Sequence, residues 1–248
     1  MPHEFEVREE IVLEATPEQV WQAIATGPGI DSWFMGRNEV EPREGGTTRQ
    51  TLMGHTSEAT ITAYDPARRF AYRTAEDAEG AFMAFEYLLE GRDGGSTVLR
   101  FVHSGMLGGD WEAEYDALRK GDGMYLRKLA AYVEHFPGRT STFNVFAVGP
   151  QVPGQERVWQ AFTHAVGATG AVAEGDRVRL QVNGITPVDG VVQFAYRPDF
   201  LGVRTGDGLY VFIHGHQDTV LVEYHGFSPE TDDKIEPAWQ SWMAQAFA

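Results

Sequence analysis

A short tetrad occurs twice in this chain: Val20-Trp21-Gln22-Ala23 returns as Val158-Trp159-Gln160-Ala161. A repeat is a strong constraint, because one unit's fold then serves for both copies. A looser match follows in the same order. Thr97-Val98-Leu99 leads to His103-Ser104-Gly105, and Thr219-Val220-Leu221 leads to His225-Gly226. Two ordered matches predict a tandem duplication. The boundary is expected at Phe136-Pro137-Gly138-Arg139, where a periodic helix runs into Pro and Gly. The predicted units are residues 1–137 and 138–248.

Each unit reads as α+β. Residues 5–14 alternate as a strand. Thr16-Pro17-Glu18-Gln19 is a capping box with Pro at the first helical position, and Val20, Trp21 and Ile24 make the apolar stripe behind it. A short second helix carries Ile30, Trp33 and Phe34. The period then drops to about two. Strands are expected over 38–43, 47–53, 57–64, 69–74, 81–90 and 97–104, separated by turn formers such as Asp65-Pro66 and Arg92-Asp93-Gly94-Gly95. A helix over 111–136 follows, with Tyr125, Leu129, Tyr132 and Phe136 on one stripe. The second unit repeats the order with a strand at 141–148, a helix at 155–166, strands between 177 and 226 and a helix near 236–247. Gly154 stands where the first unit has its capping Thr. An antiparallel sheet has one face to bury, and the long last helix is the obvious cover. A cavity between the two would suit a small ligand.

Composition removes several classes. The chain has no cysteine, so disulfides, thiolate catalysis and Cys-zinc sites are excluded. A formal net charge of −16 argues against a nucleic-acid partner, which would need clustered Lys and Arg. No apolar stretch approaches the ~20 residues of a membrane helix, and the acidic start MPHEFEVREE lacks a signal-peptide core. The expectation is a soluble cytoplasmic protein with no membrane partner.

Thr16-Pro17-Glu18-Gln19-Val20-Trp21, then Trp33-Phe34, then Ser96-Thr97-Val98-Leu99 running to His103-Ser104-Gly105 form a set. With it, residues 5–136 resemble the homologues of the activator of heat-shock-protein-90 ATPase. That family lies within the SRPBCC or START-like superfamily, alongside polyketide cyclases. Where the family opens its last helix with Gly-Trp, this chain has Gly123-Met124. The resemblance implies tandem helix-grip domains, the second diverged, with an apolar cavity in the first. It does not by itself imply an activator role.

The residues expected to line that cavity are Trp33, Phe34, Tyr72, Phe85, Tyr87, Phe101, His103, Trp111, Tyr115, Met124 and Tyr125. His103 is the polar group among them, either acting as a general base or orienting a ligand in the pocket, or bonded to solvent or backbone at the strand's end. No catalytic residue, metal or cofactor is expected. His103 and Ser104 adjoin on a strand and point to opposite faces, so they make a poor catalytic couple. His214-Gly215-His216 could chelate a metal but reads as a hairpin turn. Gly91-Arg92-Asp93-Gly94-Gly95 leads into a strand, so it lacks the helix dipole of a phosphate loop. Three functions remain open. The leading one is non-catalytic binding of a small hydrophobic molecule by the first unit. The others are a cyclase-like enzyme, needing an inward acid or base, and a protein-interaction module for a partner such as a chaperone, needing an exposed apolar patch.

Overall fold

The computed structural model describes residues 2–229 and 233–248, and the chain divides into two compact units, Met1–Thr140 and Ser141–Ala248. In the first unit β1 (His3–Leu13) leads into α1 (Pro17–Ile24) and α2 (Gly27–Ile30). Six strands follow: β2 (Arg37–Val40), β3 (Thr47–Leu52), β4 (His55–Asp65), β5 (Arg69–Thr74), β6 (Phe82–Gly91) and β7 (Thr97–Leu107). The unit ends on α3 (Trp111–His135). The seven strands form one antiparallel sheet in the order β1-β7-β6-β5-β4-β3-β2. The first strand therefore closes against the last, and the meander between them supplies the rest.

Local chemistry sets α1. The Thr16 side chain accepts from the Gln19 backbone N–H, and the Gln19 side chain accepts from the Thr16 N–H, so the capping box is present. Val20 and Ile24 are buried, and Trp21 meets Tyr64 and Phe70 edge to face at 5.0 and 6.1 Å. The next turn depends on a glycine. A Cβ on Gly29 would lie 1.8 Å from the Gln22 carbonyl oxygen, so only glycine lets α2 fold back this closely on α1. Opposite charges decorate the sheet's outer face, as where Arg100 donates to Glu10 and Glu90 at 2.8 and 2.9 Å.

The second unit has β8 (Phe143–Gln151), α4 (Gln155–Ala165), β9 (Arg177–Leu180), β10 (Val188–Tyr196), β11 (Phe200–Thr205), β12 (Gly208–His214), β13 (Thr219–Gly226) and α5 (Ile235–Ala246). Its sheet runs β8-β13-β12-β11-β10-β9, again first strand against last, with one strand fewer. The helix after its first strand carries Val158 and Trp159 as α1 carries Val20 and Trp21. The uncapped start of α4 at Gly154, which sits at φ 102°, is the erosion the sequence suggested. His216–Asp218 forms the turn between β12 and β13, as expected of that segment, and His214 is buried beside the Val152 carbonyl. Phe162, Phe212, Trp239 and Met243 join a continuous core beneath α4 and α5.

The second sequence match of the repeat does not survive in register. In β7, Leu99, Phe101 and His103 share the face turned to α3. In β13, Val220, Val222 and Tyr224 enter the core, which leaves Leu221, Glu223 and His225 on the opposite face. Aligning His103 with His225 shifts the strand by one residue, and a one-residue shift exchanges its faces. His225 is not the counterpart of His103.

Candidate functional site

The inner face of the first sheet carries a ladder of rings. Successive alternate positions on β5, β6 and β7 bring Tyr72 opposite Phe85, Phe85 opposite His103, and Tyr87 opposite Phe101. The rings touch accordingly. Tyr72 stacks on Phe85 at 4.9 Å, Phe85 on His103 at 4.1 Å, and Tyr87 leans on Phe101 at 4.9 Å. Phe5 on β1 closes the row, edge-on to His103 at 5.1 Å.

His103 is only 2% exposed, and it sits well inside β7 because that strand runs on to Leu107. Its Nδ1 lies 2.9 Å from Oδ2 of Asp122, which α3 brings over the sheet. Its Nε2 is buried with no hydrogen-bond partner. An acceptor carboxylate at Nδ1 places a proton on that nitrogen, and in the neutral imidazole Nε2 then presents a lone pair. Beside this pair lie the Tyr72 and Tyr87 hydroxyls, close enough to influence one another's ionisation. Burial pushes the Tyr72 phenol up to about 12, and the nearby Asp122 charge adds to the effect. Burial holds Tyr87 well above the ordinary phenol value as well. The site therefore combines apolar rings, two neutral hydroxyls and one imidazole oriented by a carboxylate.

Five of the expected lining residues, Tyr72, Phe85, Tyr87, Phe101 and His103, come together in this ladder. Tyr115 joins its margin, 6.5 Å from Phe5. Trp111 stacks on His3 at 4.6 Å and packs with Tyr115 against the Phe5, Val7 and Leu107 cluster. Phe34 meets Tyr125 edge to face at 4.6 Å, and Met124 is buried on α3. Trp33 does structural work: its indole N–H donates to the Ala23 carbonyl at 2.9 Å and ties the turn to α1. A separate groove of about 210 Å3 between α1 and the end of α3 is lined by Gln19, Gln22, Tyr132 and Phe136 among others, and by none of the expected residues.

Sequence reasoning missed Asp122. Nothing local distinguishes it from the other acidic residues of a strongly acidic chain. Its flanking glycines carry no signal of a close approach either, because a Cβ on Gly121 or Gly123 would meet nothing within 4 Å. Lys128 was missed too: it is only 1% exposed, with its ammonium 5.4 Å from the Tyr125 ring.

Two units, each an antiparallel sheet whose first strand pairs with its last and whose helices cover one face, define a tandem helix-grip α+β protein. Residues 14–134 match the family model described as Activator of Hsp90 ATPase homolog 1-like protein. The match lies within the first unit and ends before the second unit begins. Among solved structures, a Mesorhizobium loti protein is similar at 21% identity, covering 53% of this chain and 98% of its own, with a TM-score of 0.47. The Aha1 dimer from Colwellia psychrerythraea is similar at 21% identity, covering 52% of this chain and 96% of its own, with a TM-score of 0.44. The di-domain ARO/CYC protein BexL from the BE-7585A biosynthetic pathway is similar at 14% identity across both units, covering 89% of this chain and 84% of its own, with a TM-score of 0.48. No curated protein matches the chain. No described helix is long and apolar enough to cross a membrane.

Proposed function

We propose that the first unit binds a small, largely apolar molecule against the ring ladder, with one hydroxyl of the ligand donating to Nε2 of His103. The observation that carries this reading is the buried, unpartnered Nε2. Buried polar atoms in native proteins are nearly always hydrogen-bonded, and leaving one unmet costs about 1–3 kcal/mol. A ligand hydroxyl recovers that cost. The surrounding rings contribute apolar area, and the neutral tyrosines contribute hydrogen bonds without charge. The mixture of many apolar walls and a few fixed polar groups is what small-molecule sites use.

The test is a titration of the full chain with an environment-sensitive apolar dye, displaced by naphthol or by naphthalene. Binding by naphthol in preference to naphthalene, with the preference lost in His103→Phe, supports the reading. Failure of the protein to bind any member of a lipophilic panel overturns it.

The Asp122–His103 contact favours a second reading, in which the imidazole accepts a proton from the ligand during a reaction. Recovery of a chemically changed ligand after incubation with the wild type, and of an unchanged ligand after incubation with Asp122→Asn, would distinguish catalysis from simple binding.

A further inference from the structure

The second unit carries a depression of about 570 Å3 at strands β9, β10 and β11, lined by Arg177, Arg179, Asp189, Val191 and Arg204 together with other residues of these strands and their adjoining turns. Strand alternation explains the arginines. Val178, Leu180, Val192 and Val203 belong to the core, so Arg177, Arg179, Val191 and Arg204 face outward. The register sets Arg177 of β9 opposite Val191 of β10, and Val191 opposite Arg204 of β11. Two guanidinium groups therefore flank one small apolar residue across three adjacent strands. At ~4.8 Å per strand their Cα atoms lie roughly 10 Å apart, within reach of one ligand between them.

The charges here are out of balance. Asp189 is taken by Arg179, with Nη1 to Oδ1 at 2.5 Å. Among the described residues, Arg177 and Arg204 have no carboxylate partner, and Nε of Arg204 is buried with no acceptor. The chain has 36 Asp and Glu against 20 Lys and Arg, so acids are abundant elsewhere. A buried guanidinium N–H without an acceptor is costly, and the usual remedy is an oxyanion bound edge-on by Nε and Nη. Three arginines and one aspartate leave a local charge of +2, which one dianion neutralises. The fork of arginine suits phosphoryl oxygens better than the point charge of a lysine does.

We propose that this depression is an anion site that holds the dianionic phosphoryl group of a small molecule between Arg177 and Arg204, above Val191. The volume exceeds what a bare phosphate needs, so a phosphomonoester fits better than the free ion. The site is independent of the ring ladder in the first unit.

Phosphorus NMR titration of the full chain tests it, with inorganic phosphate in one arm and glycerol phosphate in the other. The expected result is saturable binding of glycerol phosphate, weakened at least ~tenfold (about 1.4 kcal/mol) by Arg204→Gln and by Arg177→Gln. Arg204→Lys keeps the charge but loses Nε, and it should also weaken binding. Arg49→Gln, which removes a paired arginine of the first unit, should leave binding unchanged. Equal binding of both phosphates keeps the site and identifies the free anion as sufficient. Arg177 is exposed, so its variant folds even where Arg204→Gln does not, and it carries the test alone. No saturable binding in either arm, or full binding by Arg177→Gln, overturns the proposal.

Discussion

Trp21 and Trp159 hold the same position in their respective units: each is 6% exposed and each follows a fully buried valine, Val20 or Val158. Each sits on the first helix after its unit's opening strand. Trp21 lies against Tyr64 and Phe70. Trp21→Ala should lower the stability of the first unit by about 3–5 kcal/mol, the usual cost of deleting a core aromatic. Chemical denaturation of the full chain, followed by far-UV circular dichroism, measures it. A loss below ~1 kcal/mol would contradict the packing described.

Asp122→Ala should destabilise the first unit by about 1–3 kcal/mol, because it leaves a buried imidazole N–H without an acceptor. The double variant His103→Phe/Asp122→Leu removes both polar partners. It should be more stable than Asp122→Ala alone, since replacing both ends with apolar groups leaves nothing unsatisfied. A double variant no better than the single one would show that the pair's geometry, rather than its polarity, holds the helix to the sheet.

Alkaline titration should separate Tyr72 from the exposed tyrosines. Its folded value is raised from 10.0 to about 12 by burial, so the folded state holds the proton more tightly than the unfolded state does. The associated stability is fully present below pH 10 and is lost as pH rises towards about 12. Tyr87 acts in the same direction. Tyrosinate absorbance should show a late-titrating fraction that shrinks in Tyr72→Phe. Simultaneous titration of all nine tyrosines near the ordinary value, with the fold intact, would contradict the burial of the pair.

Gly29→Ala should be among the most damaging small substitutions in the first unit. The added Cβ would meet backbone, the Gln22 carbonyl oxygen, and backbone cannot swing aside as a flexible side chain can. The expected loss is at least about 1–3 kcal/mol, the range for forced overpacking. Thermal unfolding of the variant beside Gly121→Ala, another helical glycine outside the left-handed region but with nothing within 4 Å of its added Cβ, isolates the steric part. Equal effects of the two substitutions would contradict the close approach at Gly29.

The sequence by itself determined the elements and their order. The capping box at Thr16, the stripe of Val20, Trp21 and Ile24, the hairpin glycines after Arg92 and the proline and glycine after Phe136 act over a few residues, so their meaning is local and can be read without a fold. The recurrence of Val-Trp-Gln-Ala had the same local character, and both copies fall on equivalent helices. The match of His103 with His225 failed because the face a strand residue takes depends on register, which bulges and pairing partners set at a distance; one such irregularity lies between Thr219 and Leu221. The candidate site was legible only in part, for a related reason. Ring ladders follow from alternation, and Tyr72, Phe85, Tyr87, Phe101 and His103 were legible as one inward set. Asp122 could become the partner of His103 only once the length and crossing of α3 had placed a carboxylate over the middle of the sheet. The same holds for Arg177 and Arg204, which are far apart in the chain and meet only because β9, β10 and β11 are neighbours. A side chain's residue type and its strand or helix phase are encoded locally. Which charge it faces, and whether that charge is met, depends on contacts between segments distant in sequence.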